Sequence, residues 1–351
     1  MPHVGVHDDF FECGGHSLLA VRLFAKIEGE FGRRLPLSSL FQDATIAHLA
    51  RLIEEPDGST ARPAVVAIQP RGAKQPFFCV HEFFGDVLCY MNLARHLGRD
   101  HAFYALQARG LDGVEEPLTE VEAMAASYIE EMRRVQPKGP YALGGLSSGG
   151  VVAFEMARQL HAMGERMGLV ALLDSAVPNS GYHTLTMSRR CLRDVLWDLP
   201  SWLQGFWELT ASQRLDLVRL KVTAARATLA ARRRPRDRGS SRDASATLID
   251  EMGDLYRFSE EHRKVAGAQY RALRQYRPRP YPGRLTLFRA RMQPLVSSHD
   301  PEKGWGRLAA GGLEVRIVPG NHLGMLQEPH VRVLAAQLRV CLDSPEISVT
   351  G

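Results

Sequence analysis

Apolar positions at Leu19, Leu23, Phe24 and Ile27 within LLAVRLFAKIEGEF recur at helical spacing and predict a helix with one buried face. A second helical piece, ATIAHLARLI, follows Phe41-Gln42-Asp43. The pattern then dissolves between Glu54 and Pro63 into EEPDGSTARP, where Pro, Gly, Ser and Thr mark a linker and the clearest boundary in the chain. From Ala64 onward short apolar runs alternate with helical segments. PFFCV, AFYAL, YALGGL, GLVALLD, LTLFRA and LEVRIVPG read as strands, and residues 124–135 and 151–163 as helices between them. This alternation predicts a mostly parallel sheet with helices on both faces. It is interrupted from about residue 180 to 280, where three helical stretches rich in Trp and Leu (192–207, 214–231 and 249–276) predict a lid. The division expected is a helical unit over 1–54, a linker over 55–63 and an α/β domain over 64–345.

The chain has 351 residues, 45% hydrophobic and 24% charged, which is globular composition with room for a sizeable core. No apolar run reaches the roughly 20 residues that span a bilayer, and the N-terminus has no basic-then-apolar leader. Five widely spaced cysteines without a CxxC pair predict a reducing cytoplasm and no metal framework. The net charge of +5 raises the question of nucleic acid. Much of it sits in Arg232-Arg233-Arg234-Pro235-Arg236, continued by Arg238 and Arg242, with no interleaved aromatics, so a solvated loop is the better reading and a nucleic-acid partner is not expected.

Chemistry concentrates at Gly145-Leu146-Ser147-Ser148-Gly149, preceded by the strand YALGG and followed by the helix VVAFEMARQL. The five-residue pattern alone is weak, but strand before and helix after is the setting of a nucleophile elbow, where a sharp turn exposes the serine hydroxyl. Ser147 is the expected nucleophile, since the flanks of Ser148 break the pattern. A serine needs a base, expected late in the chain, with the acid between the two. His322, in Val318-Pro319-Gly320-Asn321-His322 directly after the LEVRIV strand, fits best; His81 and His299 are weaker rivals. Two carboxylates compete as the acid: Asp174 at the end of GLVALLD, and Asp300 in Ser298-His299-Asp300-Pro301. Asp174 is favoured because an Asp-Pro turn needs no functional explanation. The oxyanion hole is expected from the backbone N–H groups of Ser148 and of Phe83, the latter in the loop His81-Glu82-Phe83-Phe84-Gly85-Asp86.

A second motif, Asp9-Phe10-Phe11-Glu12-Cys13-Gly14-Gly15-His16-Ser17-Leu18-Leu19-Ala20, places Ser17 after a Gly-Gly turn at a helix start. A plain N-cap and a modification site both fit these residues. Over residues 4 to about 53, however, DxFFxxGGHSLLA strongly resembles the phosphopantetheine attachment site of peptidyl carrier domains in nonribosomal peptide synthetases. That resemblance implies 4′-phosphopantetheine bound covalently to Ser17 by a phosphopantetheinyl transferase, with the arm's thiol carrying an acyl or peptidyl chain. A full carrier has a further helix ahead of the motif. Only sixteen residues precede Ser17, so a partial carrier domain is expected.

The rest, about 64–342, resembles the type I thioesterase domain of such synthetases through FFCVH, VLCYMNLARHL, QARGL, GPYALGGLSSGG, LLDS and PGNHLGM. The resemblance implies an α/β-hydrolase fold with a helical lid and a Ser147–His322–Asp174 triad, and it tips the choice of acid against Asp300. The chain departs from the family at His81-Glu82-Phe83-Phe84-Gly85, where His-Pro-Ala-Gly-Gly is frequent, and at Leu146, where an aromatic is common. The first departure bears on the oxyanion loop and the second on the pocket.

Carrier followed by thioesterase is the order expected at the end of a synthetase. The implied function is chain release: transfer of the chain from the carrier thioester to Ser147, then hydrolysis or macrocyclisation, with upstream synthetase modules as partners. A free-standing or editing esterase acting in trans would share the triad. A non-catalytic carrier fragment would need Ser17 alone.

Overall fold

The computed structural model describes residues 4–15, 17–33, 35, 39–40, 43–54, 64–178, 258–293 and 300–344. The lid helices expected over 192–207 and 214–231, the basic stretch around Arg232, and His299 lie outside them.

The N-terminal unit contains α1 (Ser17–Phe31) and α2 (Ile46–Glu54). Its core gathers Ala20, Phe24, Ile27, Leu40, Ala44 and Leu49, with Leu23 packed alongside. Leu19, expected on the buried face, is instead 39% exposed. The buried stripe runs 20, 23, 24, 27, and a fifth position at 19 would widen it past the side of the helix that meets the core.

The second unit is a seven-stranded sheet ordered β1-β3-β2-β4-β5-β6-β7. Its strands are β1 (Val65–Gln69), β2 (Lys74–Val80), β3 (His101–Leu106), β4 (Tyr141–Leu146), β5 (Met167–Leu173), β6 (Leu285–Ala290) and β7 (Leu313–Val318). All neighbours pair parallel except β1, which runs antiparallel on β3. The flanking helices are α3 (Met91–Leu97), α4 (Val121–Val135), α5 (Ser148–Ala162), α6 (Glu260–Gln275) and α7 (Val331–Asp343). Sequence pattern had not identified β1 or α3. The first has no alternation, with only Val66 well buried along VVAIQ, and the second is two turns long.

Two apolar layers sandwich the sheet. One joins Tyr128, Met132, Phe154, Leu160 and Trp305 to one face, and the other joins Phe77, Tyr90, Leu93, Leu334 and Leu338 to the opposite face. β4 is buried at all six positions, as a central parallel strand covered on both sides must be. Each Leu or Phe so enclosed stabilises the fold by roughly 1.5–3 kcal/mol. Glu155 is the charged exception on buried α5. Its carboxylate accepts from Arg158, Gln159 and the Tyr276 hydroxyl, which moors the end of α6.

Candidate active site

Register places the site. Leu146 on β4 pairs with Leu173 on β5, so Ser147 and Asp174 are the first residues beyond neighbouring strand ends. Ser147 N–H donates to Leu173 O at 3.0 Å, and Asp174 N–H to Phe288 O at 2.8 Å. The turn at Ser147 is tight, with φ 56° and ψ −117°. A Cβ at Gly145 would stand 2.3 Å from the Gly149 carbonyl carbon, and one at Gly149 would stand 2.3 Å from His81 O. Both glycines are therefore required for α5 to start so close to β4 and to the loop after β2. Tyr90 braces the same corner, donating to Val80 O at 2.6 Å and accepting from Leu146 N–H at 2.9 Å.

Asp174 and His322 come together. The imidazole Nδ1 lies 2.7 Å from Asp174 Oδ2, which fixes the tautomer with Nδ1–H donating and Nε2 free to accept a proton. Asp174 is buried, while the His322 side chain is 42% exposed. Burial alone would raise the Asp174 carboxyl. The His322 hydrogen bond and charge, joined by the Lys303 ammonium, outweigh it and hold the group at about 2. Among the described residues no hydrogen bond joins Ser147 Oγ to His322. Nucleophile–base contacts are commonly loose before substrate arrives. The rival Asp300 is used structurally: its carboxylate accepts the N–H groups of Glu302 and Gly304, at 3.0 and 2.7 Å.

Ser148 N–H opens α5, where the first amides lack helical acceptors and the helix dipole favours negative charge. The Ser148 hydroxyl is buried, which leaves it a backbone role. Phe83 lies in the loop after β2, its ring edge-on to Phe84 at 5.5 Å, while Phe84 stacks on Phe258 at 4.3 Å. Leu146, where a pocket effect was expected, is fully buried in the sheet core.

His81 is no base. It is fully buried, its Nδ1–H donating to Glu82 O at 2.7 Å and its Nε2 accepting from the Tyr128 hydroxyl at 2.8 Å. Burial lowers it to about 4 against the raising effect of the Glu82 carbonyl, so it stays neutral and fastens the loop. Glu82 is partly exposed by area yet ringed by protein. Desolvation pushes its carboxyl up to about 8, opposed by the backbone amides of Phe84, Asp86 and Phe83 and reinforced by the Asp86 carboxylate. Between 4.5 and about 8 the folded chain then keeps a proton that the unfolded chain has released. This group therefore lowers stability as pH rises through that window. Glu82→Gln is expected to melt higher than wild type at pH 8, with the gap closing toward pH 4.5; thermal midpoints with parallel pH dependences would refute the assignment.

Over residues 75–339 the chain matches the thioesterase domain model. The chain belongs to the thioesterase family. A second model, the phosphopantetheine attachment site, matches residues 2–53. Chondramide synthase cmdD of Chondromyces crocatus is 32% identical over 97% of this chain, and the dimodular nonribosomal peptide synthase of Bacillus subtilis (strain 168) is 44% identical over 51%. The chain spans 8% of the length of each. Among solved structures, holo-AB3403, a four-domain nonribosomal peptide synthetase bound to AMP and glycine, superposes with a TM-score of 0.60 at 29% identity. That match covers 98% of this chain and 25% of the other. The NocB thioesterase domain, in covalent complex with a fluorophosphonate nocardicin G analog, superposes with a TM-score of 0.52 at 25% identity, over 80% of this chain and all of the other. The sheet and its crossing helices are thus an α/β-hydrolase fold, and the chain carries a thioesterase domain preceded by a phosphopantetheine attachment segment.

In the carrier segment of this thioesterase, Asp9 Oδ1 accepts the N–H groups of Phe11 and Glu12, and Gly15 N–H bonds Phe10 O at 2.8 Å. Gly14 has φ 89°, and a Cβ at Gly15 would meet Phe10 O at 2.4 Å, so both positions need glycine. The turn delivers Ser17 as the first residue of α1, whose first turn carries no acidic side chain. A phosphodiester on that residue suits a helix N-terminus, where amides and dipole favour an anion. No cluster able to hold a metal occurs among the described residues. No helix there is long and apolar enough to cross a membrane.

Sequence reasoning gave no role to Lys303, Gln293 or Tyr90, single side chains from separate segments of the chain.

Proposed function

We propose that this chain releases acyl or peptidyl chains from a nonribosomal peptide synthetase through an ester on Ser147. The observation that carries the reading is the buried Asp174 carboxylate bonded to His322 Nδ1 at 2.7 Å, one residue past the strand that neighbours the Ser147 elbow. The arm on Ser17 supplies a thiol on which the chain is held as a thioester. Ser147 Oγ attacks the thioester carbonyl as His322 Nε2 takes its proton, and Asp174 stabilises the imidazolium. The oxyanion is met by Ser148 N–H and by Phe83 N–H. The C–S bond breaks and the sulfur leaves with the proton from His322, giving acyl-Ser147. Water, or a nucleophile within the chain itself, then attacks the ester with His322 again as base, yielding an acid or a macrocycle. Upstream synthetase modules supply the chain, and a phosphopantetheinyl transferase loads Ser17. The free cysteines among the described residues, Cys13, Cys79, Cys89 and Cys341, suit a reducing cytoplasm.

Intact-protein mass after incubation with short acyl or peptidyl thioesters tests the reading. One acyl group is expected on the peptide containing Ser147, with stoichiometric free thiol. An adduct elsewhere, or thiol release with no acyl-enzyme at early times, would overturn it. For the carrier, coenzyme A and a phosphopantetheinyl transferase should add one arm to wild type and none to Ser17→Ala. An arm on the variant would move the attachment site.

A further inference from the structure

Three residues other than glycine hold a positive φ among the described residues: Ser147 at 56°, Asp174 at 45° and Lys303 at 52°. Such backbone settings persist where the surroundings enforce them, and they gather at functional sites. The first two are the proposed nucleophile and acid. Lys303 lies 129 residues beyond Asp174 and is 2% exposed, an unusual place for a lysine. Its Nζ stands 2.5 Å from Asp174 Oδ1 and 3.2 Å from Asp174 O.

The two carboxylate oxygens are thereby divided. Oδ2 receives His322 Nδ1–H, while Oδ1 receives Lys303 Nζ, Ala290 N–H at 3.0 Å and Gln293 Nε2 at 3.1 Å. Among the described residues, the charged or titratable groups acting here are His322 on one side, Lys303 on the other, and Arg289 of β6 acting on Lys303. Other bonds already fasten this loop: Val177 N–H donates to Lys303 O at 3.0 Å, and the Trp305 indole Nε1–H donates to Ser175 O at 3.0 Å. What the lysine side chain adds is a buried positive charge on the far face of the acid.

We infer that Lys303 is a positioning residue for acyl transfer, pinning Asp174 by Oδ1 so that Oδ2 is aimed at His322, and offsetting part of the carboxylate's pull on the imidazolium. The inference rests on the triad proposed above. Without the ammonium, the carboxylate holds the imidazolium more strongly and is less firmly oriented.

The test is the pH profile of Ser147 acylation by a short acyl thioester in the full chain, for wild type, Lys303→Met and Lys303→Gln. Acylation slowed about 10- to 100-fold at neutral pH is expected, the scale on which partners behind a ligating group act, with the acid limb displaced to higher pH. In an Asp174→Asn background, Lys303→Met should change the rate less than about twofold, because the carboxylate through which it acts is gone. An unmoved acid limb, or effects that multiply in the double variant, would overturn the inference. So would failure of both lysine variants to fold, which would make Lys303 part of the core alone. Ser147→Ala in the same assay separates the two readings. If it acylates like wild type, the triad falls and the inference with it. If it is inert while Lys303→Met matches wild type, only the role of Lys303 falls.

Discussion

Ser147→Ala is expected to lower acyl transfer from a soluble thioester by about 10⁶-fold, the scale seen when a triad acting as a unit loses its nucleophile. Among the described residues, the neighbouring serines cannot substitute. Ser148 is 4% exposed with its Oγ turned into protein, and Ser175 is fully buried. The elbow holds one side chain at the strand end, at φ 56°, and its position is set by backbone contacts through Gly145 and Gly149 rather than by the serine hydroxyl. Folding should therefore survive the change, with a thermal midpoint within about 2 °C of wild type, the scale of a surface substitution. Rapid-quench thiol release beside circular dichroism melting checks both halves. A variant that keeps a tenth of wild-type acylation would remove Ser147 from the mechanism.

Asp174→Asn should act on activity and stability together. In activity, an amide at this position can donate to His322 Nδ1 and favour the wrong tautomer, and loss of about 10⁴-fold in acylation is expected. In stability, the substitution leaves Lys303, which lies 2.5 Å from Oδ1, as a buried cation without its counter-charge. Breaking such a pair costs about 3–5 kcal/mol, far more than an intact pair is worth. The pH dependence gives a signature. Asp174 is held at about 2 against an ordinary 3.8, so its contribution is fully present above 3.8 and is lost as pH falls through about 2. Wild type should therefore lose stability in that acid window relative to Asp174→Asn, and chemical denaturation at pH 2 to 7 measures it. Equal stability of the two proteins at pH 7 would show that Lys303 does not depend on the Asp174 charge.

Much of this protein is written locally. The strands YALGGL and LTLFRA are read with their true limits from apolar runs bounded by turn residues. The elbow follows from two glycines flanking Leu-Ser-Ser between a strand and a helix, and the carrier turn from Gly14-Gly15 ahead of α1. These features are legible because steric limits on a few consecutive residues decide them. β1 was not legible: its meaning comes from antiparallel pairing with β3, which no pattern in VVAIQ announces. Sequence favoured Asp174 over Asp300 only by an argument about turns, since both follow strands. The register of β4 on β5 puts Asp174 beside the elbow, whereas Asp300 spends its oxygens on its own turn. His81, a rival base in the sequence, became a neutral fastener once burial against Tyr128 was known. The sequence by itself determined the alternating α/β order, the tight turn between β4 and α5 and the glycine turn ahead of α1. Only the tertiary structure showed Asp174 in contact with His322, and a lysine 129 residues farther on that holds the carboxylate from behind. Charge pairing across a sheet edge depends on distances that no neighbour along the chain can encode.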